Sequence, residues 1–228
     1  MRLIDDLFYL DWKGIIPTEK DTFTTYTYNG PHLLNIAESE MFVNEAGRIL
    51  SKKYIGVKRD TIDDKILTRF NKRFNTDISW VKAFKGRVPS SGVMTSICYN
   101  GLWVPVVIKS ELHFSTAKSV YTHELIHAVR NMLPDNVEGF EEAYAMRFDW
   151  LKYHSDVGIF NVIKYTSKIK KAEKKLEDVF GHDAPYVSLR LSGDEILDIA
   201  DTSGLDIKAY LKARKCLRHF IILERFGL

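Results

Sequence analysis

Residues 123 to 127 read His-Glu-Leu-Ile-His, and this pentapeptide constrains the chain more than any other stretch. Side chains four apart lie one turn above each other on a helix, so the segment must be helical if His123 and His127 are to meet one ion. Glu124 then sits beside them as a carboxylate that can hold and deprotonate a water instead of binding the metal. The surroundings allow a helix. Val106-Val107-Ile108 ends an apolar run, Ser115 or Thr116 can cap a new helix, and nothing from Ala117 to Met132 breaks a helix. Pro134 with Asp135-Asn136 stops it. Leu125, Val129 and Met132 form an apolar stripe roughly opposite the histidines, so the helix can pack while its histidine face lines a cleft.

A catalytic zinc takes three protein ligands and keeps one position open for water. Glu141-Glu142-Ala143-Tyr144-Ala145 begins a second helical stretch that runs to about Tyr153. By helix rise, His127 lies roughly 8 Å before the first helix ends and Glu142 roughly 6 Å into the second. An antiparallel fold at the Pro134 turn brings them level.

From Tyr121 to Ala145, HExxH followed by Glu-x-x-Ala on the next helix resembles the gluzincin group of zinc metallopeptidases. That resemblance implies zinc held by His123, His127 and Glu142, with Glu124 as general base. Glu142 fits the pattern through Ala145, whose small side chain lets the helices approach. Glu141 is the alternative ligand, read otherwise as an exposed charge in the first turn of a helix. His113 is the fallback should Glu142 fail, and His32, His154 and His219 read as structural or exposed. The metzincin variant is excluded, because it needs Gly and His where this chain has Arg130 and Leu133. Thermolysin-like gluzincins carry an Asp one turn past the glutamate, and here that position is Met146. Glu141, Asn131 or Asp149 are left to orient a ligand histidine. Gluzincins also draw an oxyanion donor from well downstream. His182, Tyr186 and Arg190 cluster on a Pro185-containing stretch that reads as extended, and Tyr186 is the first choice, with simple packing as its alternative.

The remaining elements give an α+β chain. Leu3 to Leu10 reads as a short helix, and Thr22 to Tyr28 as a strand before the Asn29-Gly30-Pro31 turn. His32 to Tyr54 and Ile62 to Phe74 are helical, the latter with Ile62, Ile66, Leu67, Phe70 and Phe74 on one face. Ile78 to Phe84 and Val93 to Tyr99 read as strands, and Asn100-Gly101 supplies a type I′ hairpin turn into Leu102 to Lys109. In zincins an edge strand before the HExxH helix binds substrate as an added strand, a part open to Leu102–Ile108 or its partner; an ordinary core hairpin is the alternative. Further helices are expected at Ile159 to Phe180, Asp194 to Ala200 and Leu205 to Phe226. The first is rich in lysine (Lys164, Lys168, Lys170, Lys171, Lys174, Lys175), but Glu173, Glu177 and Asp178 dilute the charge and favour a solvated face.

With 228 residues, 45% of them hydrophobic, the chain can bury a full core as one domain or two tight lobes. No apolar run reaches the roughly 18 residues of a membrane helix, and the N-terminus lacks the pattern of a Sec signal peptide. Cys98 and Cys216 imply no disulfide framework, which points to a reducing, cytoplasmic setting with non-Sec export open. A net charge of +3 is too small to imply nucleic acid. The expectation is therefore one zincin-like α+β domain over 1–228. A sheet lobe spans about 1–112, the metal-site helices and a lower helical lobe span about 115–228, and the metal site lies between them. Its expected function is zinc-dependent hydrolysis of a peptide or protein substrate. The alternative is an inactive zincin-like fold serving as a binding or structural component.

Overall fold

Val104 to Ile108 are buried without alternation, the mark of a strand covered on both faces. The computed structural model of the chain describes residues 37, 39–100, 102–112, 117–130, 139–148, 159–214 and 217–228. It is an α+β structure built on a four-stranded mixed sheet. In chain order, α1 (Glu40–Lys53) leads into β1 (Ile55–Asp60), α2 (Asp64–Phe74), β2 (Lys82–Arg87), β3 (Gly92–Tyr99) and β4 (Leu102–Ser110). The sheet order is β1-β2-β4-β3, with β2 and β4 parallel and the outer pairs antiparallel.

The register fixes which residues share a face. Phe84 and Val93 both pair with Ile108, so these three point one way; Ala83, Val107 and Met94 point the other. Gly47 of α1 lies against Phe84, and Phe42 of α1 meets Tyr99 edge-on, which puts α1 on the first face. Gly92 has the opposite parity and touches α3 (Ala117–Arg130), so α3 covers the second face. The sheet is thus held between α1 and the helix that carries the His-Glu-Leu-Ile-His segment.

Several boundaries differ from the sequence reading, each for a local reason. Ser39 accepts a hydrogen bond from the Phe42 N–H and starts α1 at Glu40, while the expected beginning at His32 lies outside the described residues. β1 was not expected; its residues are mostly exposed and show no apolar alternation. The strand expected at Ile78–Phe84 begins instead at Lys82. Side chains of Asn71 and Asp77 take the N–H groups of Ile78 and Ser79, and Val81 closes a turn on the Ile78 carbonyl, so these groups are lost to a ladder. The hairpin is as expected, with Tyr99 opposite Leu102 and Asn100 at φ +51°. However, β4 is interior, and among the described strands its partner β3 is the one at the edge.

After α3 come α4 (Phe140–Phe148), α5 (Ile159–Phe180), a 3₁₀ turn (Gly181–Asp183), α6 (Ala184–Ser188), α7 (Gly193–Asp201), α8 (Ile207–Arg214) and α9 (Leu217–Phe226). The single helix expected from Leu205 to Phe226 is thus divided, with 215 and 216 outside the described residues. The Pro185 stretch is helical, not extended, because proline is at home in the first turn of α6. A capping box of Ser192 and Glu195 starts α7, and Lys175 of α5 donates to the Ile199, Ala200 and Thr202 carbonyls at its end. Lys168 pairs with Asp201, while Lys164, Lys170, Lys171 and Lys174 are exposed, consistent with a solvated face. One apolar core runs from Ala37 to Ile222 and joins the sheet side to the later helices. No helix among the described residues is long and apolar enough to cross a membrane. The elements expected at Leu3–Leu10 and Thr22–Tyr28, the Ser115 or Thr116 cap and the Pro134 turn lie outside the described residues.

Candidate metal centre

The helix that carries the histidines is buried nearly all round. Val120, Tyr121, Leu125, Ile126, Ala128 and Val129 are all in the core, so α3 is a central helix with more than one apolar stripe. Tyr121 also hydrogen-bonds Asp60 at the end of β1, tying α3 to the edge of the sheet. On α4, Phe140, Ala143, Tyr144, Ala145 and Phe148 are buried, and this packing leaves Glu141 and Glu142 of its first turn facing α3.

There the expected three residues converge. His123 and His127 bring their Nε2 atoms to 2.9 Å. Glu142 places Oε1 3.4 Å from the His123 Nε2 and Oε2 3.2 Å from the His127 Nε2. One ligand atom from each residue lies within 4.8 Å of the other two. Two donors about 2.0 to 2.1 Å from a tetrahedral ion sit roughly 3.3 Å apart, so the His–Glu edges match zinc and the His–His edge is a few tenths tight. Two imidazole nitrogens and a carboxylate are a donor set that suits a transition metal such as zinc over calcium or magnesium. The group fits a metal.

Burial raises the Glu142 carboxyl, but its hydrogen bonds and charge interactions with His123 and His127 outweigh this and hold it well below the usual carboxylate range. His123 is 2% exposed, whereas the side chains of His127 and Glu142 are 19% and 21% exposed, so the cluster is reached from their side.

Glu124 does not belong to the converging three. It is 5% exposed, and its carboxylate lies under the first residue of β3. A Cβ at Gly92 would sit 2.7 Å from the Glu124 Oε1 and 2.5 Å from the Val120 Cγ1. The glycine makes room for the carboxylate beneath the edge strand.

Glu141 is occupied elsewhere: Arg130 donates to both its oxygens, at 2.7 and 2.5 Å. This separates it from its neighbour Glu142 as a ligand and engages it with Arg130, so it is not the support for a ligand histidine that the sequence suggested. Tyr186 is not brought to the cluster. It is 1% exposed, with its ring between the guanidinium groups of Arg190 and Arg225, 3.8 and 3.9 Å from its centroid, and near Phe226. Its enclosure agrees with the packing alternative. His182 is exposed on the 3₁₀ turn, and Arg190 is buried with Nη1 donating to the Tyr186 carbonyl. His219 is buried beside Glu195 at 3.3 Å, a structural place as expected. His32, His113, His154, Asn131 and Asp149 lie outside the described residues.

Sequence reasoning passed over Gly92 and Arg130. A glycine opening the first strand of the hairpin that precedes α3 was one available signal, and an arginine three residues after the second histidine was the other.

Compared with protein-family models, curated proteins and solved structures, the chain matches none of them.

Proposed function

We propose that this chain is a zinc-dependent peptidase with a zincin-like arrangement of sheet and metal helices, as its resemblance to gluzincins implies. The observation that carries the proposal is the convergence of His123, His127 and Glu142 within 4.8 Å, with a separate buried carboxylate, Glu124, on the same helix. His123, His127 and Glu142 would hold the zinc, which would supply Lewis-acid chemistry for peptide hydrolysis. Glu124 accepts a proton from the attacking water and returns it to the leaving amine, the double duty of a general base and acid in peptide hydrolysis. Its burial beneath Gly92 holds the carboxylate in place and keeps bulk water off it. A peptide or protein substrate enters on the His127 and Glu142 side. Among the described strands β3 is at the edge beside α3, where an extended peptide can lie as an added strand.

Metal analysis of the purified protein, together with cleavage of unfolded casein by wild type and Glu124→Gln, tests this. About one zinc per chain is expected in both proteins. Cleavage should fall about 10²- to 10⁴-fold in the variant. A wild type that takes up no zinc sinks both the centre and the activity. Zinc bound firmly with no cleavage by the wild type points instead to the binding or structural component.

A further inference from the structure

Arg130, the last residue of α3, is 1% exposed and three positions beyond His127. Its Nε and Nη2 close a fork on the two oxygens of Glu141. Its Nη1 donates to the carbonyls of Ser188, Leu189 and Leu191, at 3.2, 3.4 and 2.9 Å. The plane of the guanidinium lies over the Tyr144 ring, 3.9 Å from its centroid, and the Tyr144 hydroxyl meets the Ser188 Oγ at 2.8 Å. A planar group with five N–H donors can serve a carboxylate, three carbonyls and an aromatic face together; an ammonium cannot.

Glu141 directly precedes Glu142. Neighbouring side chains on a helix diverge by about 100°. Fixing both oxygens of Glu141 therefore fixes the rotation of α4 about its axis and its height along α3. Those two coordinates decide where Glu142 stands relative to His123 and His127.

We propose that Arg130 is a positioning residue of the metal centre, acting through Glu141 to hold Glu142 at ligand distance from the histidines. The Ser188–Leu191 carbonyls anchor the guanidinium from behind, so the third ligand is set from the segment that links α6 to α7. This rests on the reading of His123, His127 and Glu142 as metal ligands.

Zinc affinity is the measurement, taken by competition with a chromogenic chelator at a temperature where circular dichroism shows each variant folded. Glu141→Gln loses half of the fork. The double variant R130M/E141Q removes the ion pair without stranding a buried charge, so it keeps the fold if the single change does not. Both should bind zinc about 10- to 100-fold more weakly than wild type, the range seen when support for a metal ligand is lost. Leu211→Ala, a cavity in α8 that lowers stability without touching the fork, should leave zinc affinity unchanged. Folded variants that hold zinc as tightly as wild type overturn the proposal and leave the metal centre standing, as does an equal loss in Leu211→Ala. A wild type that binds no zinc overturns both.

Discussion

At the scale of single residues, the site depends on one missing side chain as much as on those present. Gly92 is extended backbone at the start of β3, so its value lies in space and not in backbone freedom. A methyl group there meets Val120 at 2.5 Å and the Glu124 carboxylate at 2.7 Å, closer than any real contact. Both neighbours are buried, so neither moves away freely. Gly92→Ala should cost about 1 to 3 kcal/mol of stability, as overpacking does, measured by urea unfolding. It should also push Glu124 from its place and lower cleavage at least tenfold, while zinc stays bound because His123, His127 and Glu142 are untouched. Adding Val120→Ala relieves the aliphatic clash alone. The double variant should regain part of the stability and none of the activity. Recovery of both together would mean that Gly92 matters only for packing.

At the scale of elements, what the sequence revealed and what it hid depend on how local the signals are. The helix of the two histidines, α4 and the candidate ligand group could be read because i,i+4 spacing acts over a few residues. The β3–β4 hairpin could be read because Asn100-Gly101 alone specifies the turn. β1 could not, since an exposed edge strand carries no apolar alternation. The start of β2 was misplaced because Ile78 and Trp80 are buried like strand residues while Asn71 and Asp77 hold their backbone in a turn. Tyr186 looked available because only the fold reveals Arg190, Arg225 and Phe226 closing around its ring. The interior place of β4 depends on a parallel pairing with β2, which no local pattern encodes. Helix α7 is the opposite case, written into its first residues. Ser192 accepts from the Glu195 N–H, and the Glu195 carboxylate accepts from the Ser192 N–H at 2.8 Å. Ser192→Ala should cost about 1 kcal/mol by thermal or urea unfolding. A variant as stable as wild type would deny the box its role.

At the scale of the whole molecule, the candidate metal centre joins residues from two helices. α3 lies against the sheet, α4 leads toward the later helices, and the core joins both sides. His123 and His127 belong to α3 and Glu142 to α4, so zinc held by all three would tie those helices in the folded state, whereas an unfolded chain offers the same groups far apart. Binding that favours the native state stabilises it by mass action, about 2.7 kcal/mol at a free zinc level 100 times the Kd. For a chain of this size that amounts to a rise in Tm of roughly 5 to 10 °C. Calorimetry with added zinc should show this rise, and a chelator should reverse it. Magnesium at the same concentration should give none, because a donor set with two imidazoles suits it poorly. Zinc must displace protons from the imidazoles, so the rise should shrink as pH falls. Variants then separate the roles of the carboxylates. Glu142→Ala removes a ligand and should abolish most of the rise, whereas Glu124→Gln leaves the ligand set whole and should keep it. An equal rise in wild type and Glu142→Ala would move the zinc to other groups and detach the stability of the fold from this centre.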